Sequence, residues 1–377
     1  MTPFYNLTVC ESLASEGHDV TYIASPYLYT PLSYPANVHA EMLYFRELNA
    51  LGKTWLQKVP KVRQLLRGMS YPFGNLALLA RARRQRPDVV HFQWSRLPVF
   101  DLPTVRQLQR QGIPVVHTVH DIVPLFEKGD IPRLYDIYRT CDALVVHSEH
   151  NKQELLARVV GIDPQRVHVV PLIHAPFVAD SAMPNLVRAR HHLPEDAFII
   201  LFLGSIKPYK GLSLLVDTIR QVNAQTNAVH WLIVGKADDA DQQALMSKAS
   251  QEARVVVVQA YVSNEEVAHY HQASDVAIFP YQHIFQSAAL ITAMGFGLPV
   301  IATAVGSFPE TLDGNGWLVP KQNANALTQA ILESVSQPQL REQMGRRSLE
   351  LIQTRHSPQA VAARLLALYA SLVRNVS

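Results

Sequence analysis

Two stretches of this 377-residue chain combine side chains and backbone suited to holding an anion. The first, Gly204-Ser205-Ile206-Lys207-Pro208-Tyr209-Lys210-Gly211, follows an apolar strand-like run, Phe198 to Leu203, and precedes a helical one, Leu212 to Thr226. Glycine lets the backbone close on a ligand, Ser205 offers a hydroxyl, and Lys207 and Lys210 stand where a strand end meets a helix start. That chemistry suits a diphosphate; a solvated lysine turn is the plain alternative. The GxxxxGK[ST] order of a P-loop and the GxGxxG spacing of a dinucleotide fold are both absent. The second stretch is Phe279 to Thr303, FPYQHIFQSAALITAMGFGLPVIAT. It reads as a strand end, a turn at Pro280, a small-residue helix opening near Gln286-Ser287, a Gly-Leu-Pro stop and a strand from Val300. Ala293, Gly295 and Gly297 let such a helix approach a sheet closely, and its first N–H groups, near Ser287 and Ala288, face outward for an anion.

Histidines supply a third candidate. His91, His120-Asp121 and His147-Ser148 close short apolar runs at Val89, Val115 and Ala143, the carboxyl ends where open α/β sheets bind ligands. His120, with Asp121 beside it, is the candidate to touch a substrate. His91, His117 and His147 fit a hydrogen-bonded interior better. Asp238-Asp239-Ala240-Asp241 is an acidic cluster, but an oxygen-ligated metal site needs several converging ligands, so a solvated turn is expected and no metal.

The elements around these residues alternate. Short apolar strands separated by helices indicate parallel sheets buried on both faces, once from Pro87 onward and again from Phe198. Prolines 171, 176, 184 and 194 mark a linker between them. At this length two domains are the default. A composition 48% hydrophobic and 17% charged is that of an ordinary globular chain. Cys10 and Cys141 lie far apart without metal spacing, which points to a reducing compartment. No apolar run reaches the roughly 18 to 20 residues of a membrane span. The net charge of +3 gives no reason to expect nucleic acid. It is unevenly spread: between Glu47 and Asp88 no acid occurs, while Lys53, Lys58, Lys61, Arg63, Arg67, Arg81, Arg83, Arg84 and Arg86 do. Trp55, Val59, Val62 and Leu66 follow helical spacing there, Pro60 kinks or restarts the helix, and residues 53–86 form a candidate surface for anionic lipid. A surface helix packed on its own domain is the alternative. The doubly wound pattern also calls for a strand ahead of the Phe4 to Glu16 helix, and no residues are there to make it.

In order and spacing, several pieces resemble the retaining GT-B glycosyltransferases called glycosyltransferase family 4. They are Gly17-His18-Asp19-Val20, Val116 to Asp121, the Gly204 to Gly211 loop, Ser274-Asp275-Val276, Ala293-Met294 to Ala302, Gly306-Ser307-Phe308-Pro309-Glu310 and Gly316-Trp317-Leu318-Val319. The resemblance implies two Rossmann-like domains facing a central cleft: residues 1–175 for the acceptor, with its first strand missing and helix 358–377 packing back on it, and 176–357 for a nucleotide-sugar donor. It implies a hexosyl transfer, retaining in stereochemistry, to a glycan, glycolipid or lipid-linked polysaccharide precursor, without cofactor or metal; together with the basic residues of 53–86 it gives the expectation of a cytoplasmic enzyme peripheral to the inner face of the plasma membrane. Gly204, Ser205, Lys207, Lys210, Gln286, Ser287, Ala288 and Thr292 would bind the donor, and His120 and Asp121 would serve catalysis. Lys210 matches the family's lysine, but Ser205 stands at its arginine, and Ile284 and Thr292 stand at its two glutamates. A threonine gives a ribose one weaker hydrogen bond where a carboxylate gives two. A nucleotide-sugar epimerase or hydrolase of the same fold, and a truncated or inactive binding homologue, are the alternatives.

Overall fold

A computed structural model describes residues 3–25, 32–45, 60–123, 131–176 and 185–374, with backbone alone over 60–67. The chain divides into one unit of Met1–Ile173 with Pro358–Ser377 and a second of His174–Ser357.

The first unit opens on helix α1 (Pro3–Ser15), which buries Tyr5, Leu7, Val9 and Leu13. Gly17, at φ 88°, ends it in the left-handed turn that glycine tolerates best. Strands β1 (Thr21–Ala24) and β2 (His39–Met42) pair in parallel. Helix α2 (Pro60–Gln85) begins at Pro60, whose fixed φ suits a first turn. The proposed lipid-facing positions from Lys53 to Val59 lie outside the described residues. A four-stranded parallel sheet follows in the order β3-β4-β5-β6, from β3 (Val90–Phe92), β4 (Val115–Thr118), β5 (Ala143–Val146) and β6 (Val167–Val169). Helices α3 (Pro98–Arg110), α4 (Ile131–Thr140) and α5 (Glu149–Arg158) connect them. Sequence periodicity starts α3 at Pro103; it starts at Pro98, a first-turn proline, with Asp101 accepting from the Leu97 N–H at 3.2 Å. Every residue of β4 and β5 is buried, as continuous apolar strands covered on both faces require. Helix Pro358–Arg374 belongs to this unit: it packs on α1, and its Tyr369 hydroxyl lies 2.6 Å from His91 Nδ1.

The second unit holds α6 (Leu186–Arg190), β7 (Phe198–Leu203), α7 (Leu212–Asn223), β8 (Val229–Val234), α8 (Ala240–Ser250), β9 (Val255–Val258), α9 (Asn264–Gln272) and β10 (Val276–Phe279). After them come α10 (Ala288–Gly295), β11 (Val300–Thr303), α11 (Phe308–Thr311), β12 (Gly316–Val319), α12 (Ala324–Ser336) and α13 (Pro338–Leu351). Its six parallel strands run β12-β11-β10-β7-β8-β9. The chain builds outward from β7 through β8 to β9, then returns to the other side of β7 with β10. Between β7 and β10 the winding reverses, the switch point beside whose strand carboxyl ends such sheets bind ligands. Both units are thus α/β and Rossmann-like. The sheet core of the second, including Ile199, Leu201, Leu232 and Val234, is fully enclosed.

Candidate functional site

The crevice between β7 and β10 is built by backbone. The loop after β7 passes through a tight turn at Pro208–Lys210 and enters α7 at Gly211, φ 74°. A Cβ on Gly211 would overlap the Pro280 carbonyl, so only glycine lets this loop lie against the one after β10. Gln282 N–H donates to the Tyr209 carbonyl at 2.7 Å, and Thr303 Oγ donates to the Tyr281 carbonyl at 2.5 Å. Gly306 meets the Ile284 carbonyl in the same way, joining the loop after β11 to the others.

Lys210 is the charge in this frame. Its side chain is 92% enclosed, its ammonium stands over the Tyr281 ring at 5.4 Å, and Nζ lies 2.9 Å from where a Cβ on Gly204 would be. Burial lowers its pKa, and Lys207 adds to the effect while Tyr209 opposes it. Among the described residues no carboxylate stands within ion-pair distance of Lys210. Lys207 differs, since Asp238 accepts from its Nζ at 3.1 Å. The acidic cluster is accounted for locally: Asp238 takes Lys207 and, at 3.5 Å, Lys236, while Asp239 caps α8 by accepting from the Gln242 N–H. Asp241 falls in the first turn of α8, where negative charge meets the helix dipole.

The remaining donor-loop candidates separate into two groups. Ser205 is exposed beside the buried Ile206. Ser287 is buried and caps α10 by accepting from the Leu290 N–H at 3.2 Å, and it also hydrogen-bonds the Tyr281 hydroxyl. Helix geometry leaves the Ala288 and Ala289 N–H groups without an acceptor inside α10. Gln286 is half-buried just before this cap. Thr292 is buried a turn further along, and among the described residues no hydrogen bond joins it to the Gly204–Gly211 loop. Sequence reading missed Tyr281 and Thr303. The signal for Tyr281 was an aromatic directly after the strand-ending Pro280.

The first unit's candidate is built from side chains. His147 Nδ1 lies 2.9 Å from the Val170 carbonyl, which can only accept, so that nitrogen carries the proton. The neutral ring then offers a bare Nε2 to His120 Nδ1 at 3.2 Å, which makes His120 the donor and leaves its own Nε2 bare. Gln93 Oε1 stands 3.0 Å from that nitrogen and can only accept, so this tautomer requires the Gln93 amide to be turned to present its NH2. Beyond Gln93, His91 bonds Thr118 Oγ at 2.7 Å and Tyr369. Trp94 and His147 stack on the two sides of His120, at 4.9 and 5.1 Å, and Tyr5 meets it edge-on. Burial holds His120 neutral, well below its ordinary pKa, and the neighbouring His147 and His117 reinforce this. Burial likewise lowers His91 to about 3 and His117 to about 4, and raises the half-exposed Asp121 to about 6. Gln93, Trp94 and Tyr369 gave no sequence signal, because the first two come from the loop after β3 and the third from the last helix, far apart in the chain.

Known proteins share both halves. The family model described as Glycosyltransferase Family 4 matches residues 4–172, and that described as Glycosyl transferases group 1 matches 197–337. A D-inositol 3-phosphate glycosyltransferase of Xylanimonas cellulosilytica is 27% identical over 56% of this chain and 55% of its own length. A GDP-mannose:glycolipid 4-beta-D-mannosyltransferase of Xanthomonas campestris pv. campestris is 27% identical over 64% of this chain and 68% of its own. The chain thus spans about half the length of the first of these relatives. Among solved structures, a sucrose-phosphate synthase of Thermosynechococcus elongatus has the same fold, with a TM-score of 0.73, 23% identity and coverage of 98% of this chain and 93% of that one. With one unit matched by each model, the chain belongs to the group 1, family 4 glycosyltransferases of the GT-B fold.

Proposed function

We propose that the protein transfers a hexose, with retention of configuration, from a nucleotide-diphosphate sugar bound by the second unit to a glycolipid or lipid-linked polysaccharide precursor bound by the first. The observation that carries the donor reading is Lys210, a buried cation with no carboxylate partner among the described residues, set in the β7–β10 crevice. A buried ammonium is costly unless an anion joins it, and a diphosphate supplies that anion at Lys210, Ser205 and the start of α10. The departing diphosphate needs the same stabilisation in the transition state. Lys207 joins by exchanging Asp238 for phosphate. Gln286 and Thr292 would meet the nucleoside part with hydroxyl and amide groups in place of carboxylates. In the first unit, half-exposed Asp121, raised to about 6 by burial and adjoining the enclosed His120 that would position it, is the group proposed to receive the acceptor's proton. The GDP-mannose donor of the mannosyltransferase relative supports a nucleotide-diphosphate sugar, and its glycolipid acceptor supports the acceptor class.

Calorimetry with a panel of nucleoside diphosphates tests the donor reading. One of them should bind, and Lys210→Ala should weaken it by about 1.5–3 kcal/mol, the range for hydrogen bonds to charged groups. Equal affinity in wild type and variant would overturn the role of Lys210. The anomeric coupling constant of the product, compared with that of the donor, tests retention.

A further inference from the structure

Helix α2 is apolar on two opposite sides, and one domain needs only one of them. Tyr71, Asn75, Leu78 and Ala82, at helical spacing, are buried. This side packs toward α3, where Asp101 accepts from Tyr71 at 2.9 Å and from Asn75 at 3.3 Å. Met69, Phe73 and Leu76, at i, i+4 and i+7, are 63%, 69% and 62% exposed. At about 100° per residue they form a stripe directly across the helix from Tyr71 and Leu78. Three adjacent large apolar side chains facing water are uncommon on a surface with nothing to bind.

The charges beside the stripe indicate what covers it. Arg83 and Arg84 are exposed and follow Leu76 by two turns, so they flank the same side at the end of α2, and Arg86 is exposed just beyond. Arg81, on the flank, is already paired with Glu41. No acidic residue occurs from 48 to 87, so nothing along α2 offsets these cations. An apolar stripe ending in uncompensated arginines fits a bilayer with anionic headgroups: the side chains enter the acyl boundary and the guanidinium groups remain among the phosphates. A second copy of the chain fits less well, because a two-fold contact brings the same acid-free basic helix against itself.

We infer that the Met69–Phe73–Leu76 face of α2, with Arg83 and Arg84, docks the protein on an anionic lipid surface. This extends the proposed lipid-presented acceptor, but its test contains no donor or acceptor, so the two readings fail separately. The full chain is floated with vesicles of phosphatidylcholine alone and of equal parts phosphatidylcholine and phosphatidylglycerol. It should rise with the mixed vesicles only, and release at about 1 M salt, where screening acts within about 3 Å. Met69→Ser/Phe73→Ser/Leu76→Ser should lower partitioning roughly tenfold or more, and Arg83→Glu/Arg84→Glu should abolish the preference for anionic lipid. Phe73→Cys in a Cys10→Ser background, carrying a solvatochromic dye, should shift to the blue on adding the mixed vesicles; Cys141 is fully buried and does not compete for label. Flotation of the triple variant equal to wild type, or a dye that keeps its aqueous emission, would overturn the inference. So would a wild-type dimer that the triple variant converts to monomer with no lipid binding in either. Should the triple variant fail to fold, the dye shift and the arginine pair decide.

Discussion

The two candidate sites hold their polar groups by opposite means. In the second unit, backbone packs on backbone at Gly211 and Gly306, and among the described residues the central cation has no carboxylate partner. In the first unit His147 bonds backbone and His120, His120 meets Gln93, His91 bonds Thr118 and Tyr369, and burial keeps His120 and His91 neutral. A frame of that first kind is prepared to receive charge. A network of the second kind holds one tautomer and is disturbed by charge. The contrast separates a place that binds an anion from a place that positions a base.

Acid should break this contrast most strongly. Unfolded histidines take up protons from about pH 6.5 downward, whereas folded His91 and His117 do so only near 3 and 4. Their folded pKa values lie below the unfolded ones, so the stability they contribute is complete above about pH 6.5 and falls as pH drops through that window. Each should cost about 1.4 kcal/mol per pH unit, read as a falling urea midpoint between pH 7 and pH 5. A midpoint that does not move would mean that these rings are charged in the folded protein.

Next in size is Gly211→Ala. At φ 74°, with the Pro280 carbonyl in the way, it should destabilise the second unit by roughly 2–5 kcal/mol, seen as an earlier thermal transition, while the first unit melts as before. The lysines then divide the charge. Since Lys207 already has Asp238, Lys207→Ala should weaken nucleoside diphosphate binding by less than about 1 kcal/mol, as for a partly exposed ion pair. A loss as large as that for Lys210→Ala would show that the two cations act alike. The smallest effect is on a proton's position. Nitrogen-15 spectra should find His120 protonated at Nδ1, and His147→Phe should move that proton to Nε2, with the Gln93 carbonyl accepting. An unchanged tautomer would show that His147 does not orient it.

Much of the scaffold was readable from residue order. Continuous apolar runs such as Phe198 to Leu203 can bury both faces only in a parallel sheet, and Ser287 before a small-residue run marks a cap, which is where α10 begins. Less of each site was readable. His120 reads as a ligand contact because it ends a strand, yet Trp94, His147 and Tyr5 enclose it. Lys207 and Lys210 look equivalent three residues apart, yet one faces Asp238 from the next loop and the other a tyrosine ring. Pro103 reads as a helix start, yet α3 is already under way there from Pro98.

By itself, then, the sequence determined which segments are strands and helices, where the strand-end loops fall, and that α2 is basic and free of acid. Those properties follow from periodicity, glycine and proline positions, and charge, all of which act over a few residues. Only the tertiary structure decided which lysine has no carboxylate partner among the described residues, which histidine nitrogen carries the proton, and that α2 turns one apolar side inward and the other to solvent. Each of these depends on groups that distant segments bring within a few ångströms, where desolvation and hydrogen-bond geometry outweigh residue type.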